Sequence, residues 1–196
     1  RCLTFAQTLR DKGVRCRFVC REYPGNLLEV IRQHGFETQA LPMEAILHQQ
    51  IVQRESRSET VHLHSDWQTD AEQTINCISD LVVSWLIVDH YALDKRWEVA
   101  LKSHCRKLMV IDDLANRRHD CDILLDQNYY TNLSTRYKGL VPSRCASFLG
   151  PTHVLLRDEF YKAKTNAQMK SGVVKRILVF FGGSDSTNQT QRIVEA

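Results

Sequence analysis

Several things are missing from this sequence, and each absence excludes something. No apolar run approaches the roughly 18 residues of a membrane-spanning helix, so none of the 196 residues is expected to cross a bilayer. Neither charge dominates: 26 basic and 23 acidic residues leave a formal net charge of +3. That argues against a nucleic-acid or membrane-surface binder, whose signature is a basic patch. The seven cysteines, Cys2, Cys16, Cys20, Cys77, Cys105, Cys121 and Cys145, are odd in number and include no C-x-x-C pair. This is neither a zinc ribbon nor a secreted disulfide scaffold. Reduced, buried thiols and a cytoplasmic location are the expectation, with no secretory leader visible. There is no solenoid repeat and no low-complexity tract.

What is present is ordinary globular material, 43% apolar, in alternating helical and extended patterns. Helices are expected over residues 3–11, 26–34, 70–81 and 94–103. Strands are expected over 14–20, 36–41, 85–88, 107–111 and 122–125. Residues 55–69 carry no clear pattern. Strands separated by helices at this spacing predict an α/β fold, with a mostly parallel sheet covered on both faces. A polar, lysine-rich stretch over 161–172 reads as a boundary. The first domain then spans 1–165, and a second α/β domain opens at 173–196.

That second opening is the most informative segment. An apolar run, Ile177 to Phe181, meets Gly182-Gly183-Ser184-Asp185 and then the polar residues Ser186-Thr187-Asn188. It reads as a buried strand, a tight loop and a helix start. Such a loop presents backbone N–H groups at the positive end of a helix dipole, which suits a phosphate. A bland strand–turn–helix has the same pattern.

Three further polar groups stand at expected strand ends: Asp89-His90-Tyr91, Asp112-Asp113 and Asp126-Gln127-Asn128. In open parallel sheets ligands bind beyond the carboxyl ends of the strands. Four such clusters point to a ligand cleft, although a single aspartate often just caps the next helix. His90 is either a general base or a packing residue beside Tyr91. Tyr91 either hydrogen-bonds a sugar or phosphate oxygen or roofs the sheet. Asp112 and Asp113 are either a carboxylate pair for chemistry or a loop orienter and a cap. Asp185 lies where it repels a phosphate, so it caps the helix or binds a ligand hydroxyl. His62 with His64, and His119 with Cys121, share faces, but no compact four-ligand metal set accompanies either pair. Neither a metal nor another cofactor is expected.

Five strings carry a resemblance when taken in order. They are Val-Asp-His-Tyr (88–91), Ile-Asp-Asp-Leu-Ala-Asn-Arg (111–117), His-Asp-Cys-Asp-Ile-Leu-Leu-Asp-Gln-Asn (119–128), Leu-Gly-Pro-Thr-His-Val-Leu-Leu-Arg-Asp-Glu-Phe (149–160) and Phe-Gly-Gly-Ser-Asp-Ser-Thr-Asn (181–188). Together they resemble the PseG family of UDP-2,4-diacetamido-2,4,6-trideoxy-β-L-altropyranose hydrolases, of pseudaminic acid biosynthesis. The resemblance implies a GT-B-like fold of two Rossmann-like domains facing a cleft. It also implies a small-molecule UDP-sugar substrate, a monomer, and cleavage by water at the anomeric carbon. It implies Tyr91 as a catalytic residue. Arg1, Asp89, His90, Asp113, Asn128, Arg157, Gly182, Gly183, Ser184, Asp185 and Asn188 are implied as substrate contacts. The family pattern opens with a strand and a G-x-G-H-x-x-R motif whose histidine is the base. Arg1 matches the end of that motif, so the histidine falls three residues ahead of Arg1, and the first strand and most of the second domain fall outside this chain. A fragment inactive by itself is the resulting expectation. A GT-B glycosyltransferase and a non-catalytic nucleotide-sugar-binding module stay open as alternatives.

Overall fold

The computed structural model describes residues 1–43, 66–165, 172–174, 176–181, 185 and 187–195. Contacts divide the chain into two units, Arg1–Arg157 and Asp158–Ala196. The first unit is α/β with parallel sheets, as the alternating pattern predicts. Its order is α1 (Cys2–Asp11), β1 (Arg17–Arg21), α2 (Leu28–Gln33), β2 (Glu37–Leu41), α3 (Trp67–Ile78), β3 (Val83–Val88) and α4 (Lys95–Leu101). A 3-10 turn (Lys102–His104), β4 (Cys105–Ile111), β5 (Ile123–Asp126), β6 (Ala146–Leu149) and a second 3-10 turn (Pro151–His153) follow.

All strand pairs are parallel: β1 pairs with β2, and β3, β4, β5 and β6 form a four-stranded sheet in that order. Among the described residues β1 pairs with β2 alone and β3 with β4 alone, so each keeps one edge unpaired. Successive side chains of β4 point to opposite faces, and both faces are buried. Leu108 and Val110 join Ile78, Trp97, Leu101 and Leu124 in one cluster, which α3 and α4 cover. Met109 and Ile111 join Leu125, with Phe5 of α1 against them, on the other.

Local signals set the ends of the helices. Both α1 and α2 stop at a glycine with positive φ, Gly13 at 80° and Gly35 at 77°. Beyond each, the chain turns back to donate into the last turn: Val14 N–H to the Leu9 carbonyl at 3.0 Å, Phe36 N–H to that of Ile31 at 3.3 Å. This is the left-handed cap that glycine adopts without strain. The third helix starts at Trp67 rather than at residue 70, because Asp66 caps it by accepting from the N–H groups of Gln68 and Thr69. The first strand begins at Arg17 rather than at residue 14. The fourth helix gives way to the 3-10 turn after Leu101.

The second unit departs further from expectation. The polar stretch opening at 161 belongs in part to a helix, α5 (Asp158–Thr165), with acidic residues in its first turn and lysines in its last. That arrangement suits the helix dipole, although α5 buries no residue. The apolar run over 177–181 is not a buried strand. Ile177, Leu178 and Phe180 are 81%, 92% and 76% exposed, and no strand is assigned there. A strand exists by pairing, and among the described residues this run has no partner. The polar residues after it form a short helix, α6 (Gln189–Val194). No helix among the described residues is long and apolar enough to cross a membrane.

Candidate active site

Because β3, β4 and β5 are neighbours and parallel, the residues just past their carboxyl ends stand side by side. Asp113, after β4, is the centre. Its Oδ2 accepts from the Tyr91 hydroxyl at 3.4 Å and from Asn128 Nδ2 at 3.2 Å. Arg1 Nη1 lies 3.5 Å from the same oxygen. Its other oxygen, Oδ1, is buried and has no hydrogen-bond partner among the described residues. The Arg1 guanidinium also grips Asp89 as a two-toothed fork, Nε at 2.8 Å and Nη2 at 2.5 Å, the geometry that favours arginine over lysine. One cation is thus held between two carboxylates, and α1, which starts at Cys2, is pinned to the strand ends.

Burial pushes the Asp89 carboxyl upward, but Arg1's hydrogen bonds and charge outweigh it and hold the group below the usual carboxylate range. The Cys2 thiol, which donates to Asp89 at 3.2 Å, is pushed up to about 12, first by burial and then by that carboxylate. A carboxyl depressed by folding stabilises the protein above its unfolded pKa of about 3.9, and the benefit is lost as pH falls through the lower folded value. Asp89→Asn should therefore flatten the acid limb of the stability–pH curve below about pH 4. Urea midpoints measured across that range would show it, and an unchanged limb would refute the assignment.

A buried polar frame behind these groups fixes the loops that carry them. Arg117 donates to the carbonyls of His90 (2.9 Å) and Leu93 (2.8 Å), holding the Asp89–Tyr91 loop. Its Nη1 lies 2.8 Å from Asp112 Oδ1; that oxygen has no partner by hydrogen-bond geometry, so the contact is an ion pair. Asp112 Oδ2 accepts from the Tyr137 hydroxyl and from Ala115 N–H, each at 2.9 Å. Arg136 donates to the Asp113 carbonyl at 2.6 Å and to Asp126 at 2.9 Å, and the Tyr130 hydroxyl donates to that same carbonyl at 3.0 Å. Arg136 also stacks 3.4 Å above the Tyr130 ring. Below the frame, His119 Nδ1 meets Glu98 Oε1 at 2.5 Å, both side chains fully buried.

The structure thus brings Arg1, Asp89, Tyr91, Asp113 and Asn128 together. The His90 Nδ1 accepts from Ala92 N–H at 3.1 Å. Arg157, the last residue of the first unit, is exposed. In the second unit both Asp185 oxygens accept from backbone, Gln189 N–H and Thr190 N–H at 2.8 Å each. Those bonds hold its carboxyl low, the helix-capping role expected from sequence. Asn188 precedes α6 in a left-handed conformation, φ 52°. Gly182, Gly183 and Ser184, like His62 and His64, lie outside the described residues. Sequence reasoning did not single out Arg117, Tyr130, Arg136, Tyr137 or Glu98. No local spacing marks them, because their partners lie far away in sequence.

No protein-family model matches the chain. It is 35% identical over 123 residues, 62% of its length, to the UDP-2,4-diacetamido-2,4,6-trideoxy-beta-L-altropyranose hydrolase of Campylobacter jejuni, covering 43% of that protein. It is 26% identical over 130 residues, 65% of its length, to an uncharacterized protein of Methanocaldococcus jannaschii, covering 27% of it. The chain therefore spans less than half the length of either curated relative.

Proposed function

We propose that Asp89, Tyr91, Asp113 and Asn128, held in place by Arg1, form the sugar-facing part of a UDP-sugar hydrolase site. One observation carries the reading: polar side chains from three adjacent strand ends converge on one carboxylate. A carboxylate ringed by a hydroxyl and an amide suits an amino-sugar, which supplies both hydroxyl and amide donors. The likeness to the Campylobacter jejuni hydrolase supports the substrate class.

Water attacks the anomeric carbon, the glycosyl–phosphate bond breaks, and UDP leaves with the bonding electrons. Positive charge builds on the sugar ring as negative charge builds on the diphosphate. Asp89 and Asp113 lie at the sugar side, where carboxylates favour the cationic ring. Tyr91, whose hydroxyl donates toward Asp113, turns its oxygen lone pairs to a donor on substrate or water. Arg1, gripped by Asp89, positions the two carboxylates rather than meeting the substrate. In the resembled family the base that takes the proton from water is the histidine of the G-x-G-H-x-x-R motif, of which Arg1 is the matching arginine.

An NMR time course of the UDP-sugar, with no acceptor present, tests the reading on this chain and on the complete gene product. Release of UDP and free sugar by the complete gene product is the expected result. Broadening of UDP signals without turnover would instead favour a binding module. Turnover that begins only when an acceptor sugar is added would favour a transferase.

A further inference from the structure

At the opposite ends of β5 and β6 from the candidate site, two thiols meet. Cys121 precedes β5 and is 1% exposed; Cys145 immediately precedes β6 and is half-buried. Their Sγ atoms are 3.6 Å apart. The two short segments are joined on both sides of the thiols. Arg144 pairs with Asp120 on one side, and Ala146 N–H donates to the Asp122 carbonyl at 2.9 Å on the other. Neighbouring strands in register keep that arrangement, Ile123 opposite Ala146. Two reacting atoms held at near contact by flanking bonds react as an intramolecular pair, with a correspondingly high effective concentration.

We propose that Cys121 and Cys145 are a dithiol modification site, which low-molecular-weight disulfides convert to an intramolecular disulfide. A disulfide needs a sulfur separation near 2.05 Å, so the two atoms close by about 1.5 Å, within the reach of side-chain rotation. The steps balance. The Cys145 thiolate attacks one sulfur of the small disulfide, whose S–S bond breaks and releases one thiolate. The Cys121 thiol gives up its proton and attacks the Cys145 sulfur, expelling the second small thiolate. Two protein thiols are oxidised and one small disulfide is reduced to two thiols.

The order of events follows from the environment. The two Sγ atoms share a hydrogen bond in which either can donate, and that coupling draws the Cys145 thiol down to about 7 and drives Cys121 upward. Burial raises the thiols of Cys2, Cys16, Cys20, Cys77 and Cys105. Cys145 is half-buried while Cys121 is 1% exposed, so a small disulfide reaches Cys145 first and Cys121 is the resolving thiol.

Oxidised glutathione added to the chain at neutral pH is the test. The expected result is a loss of two titratable thiols, a mass lower by two hydrogen atoms, and one linked peptide pair containing Cys121 and Cys145. Cys145 should react at least about tenfold faster than any other cysteine. Cys121→Ser should trap glutathione on Cys145, and Cys145→Ser should leave Cys121 unmodified. Glutathione scattered over other cysteines, or no linked pair in the unaltered chain, overturns the proposal. If Cys121→Ser does not fold, the peptide map of the unaltered chain decides alone.

Discussion

Replacing Asp112 with alanine should destabilise the first unit by about 3–5 kcal/mol, the usual cost of breaking a buried ion pair from one side. The side chain is fully buried, and three groups depend on it: Arg117, the Tyr137 hydroxyl and the Ala115 amide. Without the carboxylate, Arg117 becomes an uncompensated cation behind the strand ends. Tyr137 keeps the Asp112 carbonyl at 3.1 Å and Asp126 at 3.0 Å, so its hydroxyl is the least affected. Ala115 is held at φ 50°, a backbone conformation unusual for a residue with a Cβ, and loses the bond that fixes it. Asp112→Asn keeps the shape and one acceptor but not the charge, so a smaller loss of about 1–3 kcal/mol is expected. Lys107→Ala is the control, because its pair with Asp122 is solvated and worth at most about 1 kcal/mol. Urea unfolding at constant slope separates these values. An Asp112→Ala loss no larger than that of Lys107→Ala would show that the frame does not hold the loops.

Acid should act on the same residue. Burial raises the Asp112 carboxyl, but the Ala115 amide, Arg117 and Tyr137 together bring it below its ordinary value. Its contribution is present above the unfolded pKa of about 3.9 and disappears as pH falls through the folded value. Asp89 titrates in the same direction, so acid weakens the frame and the Arg1 clasp together.

How much of this was legible in the sequence depends on how local each feature is. The helix stops at Gly13 and Gly35 and the strand-end clusters at 89–91, 112–113 and 126–128 are short-range signals, and each fell at or next to its expected place. Strand β6 was missed, because Ala146-Ser-Phe-Leu149 has little strand character of its own and is extended by pairing with β5. The opposite error occurred over 177–181, where an apolar run promised a buried strand. Apolar character gives a segment a reason to be buried, but burial requires neighbours that a local pattern does not contain. The supporting arginines were illegible for a related reason. Arg117 reaches a carbonyl 27 residues away and Arg136 one 23 residues away, and no spacing rule connects such positions. The site itself was half legible: the residues were named, but not that Arg1 is gripped by Asp89 or that Asp113 stands at the centre.

That central position makes Asp113 the sharpest test of the proposed function. In the complete gene product Asp113→Ala should slow UDP release by on the order of 10²-fold, the usual penalty for releasing a constellation from its geometry. Tyr91, Asn128 and Arg1 would lose their shared anchor at once. Stability should not follow activity. The Asp113 side chain makes only three long contacts among the described residues, at 3.2, 3.4 and 3.5 Å, so truncation breaks no strong bond. A change within about 1 kcal/mol is therefore expected, in contrast to Asp112→Ala one residue away. Activity lost at preserved stability is what distinguishes a site carboxylate from a structural one. Tyr91→Phe removes one of the three contacts and should cost less than Asp113→Ala. A loss confined to KM would mean that Asp113 contributes only uniform substrate binding, and a fall in kcat that it acts on the transition state. If Asp113→Ala leaves both constants within about twofold of the original, the convergence at the strand ends is structural and the hydrolase site lies elsewhere.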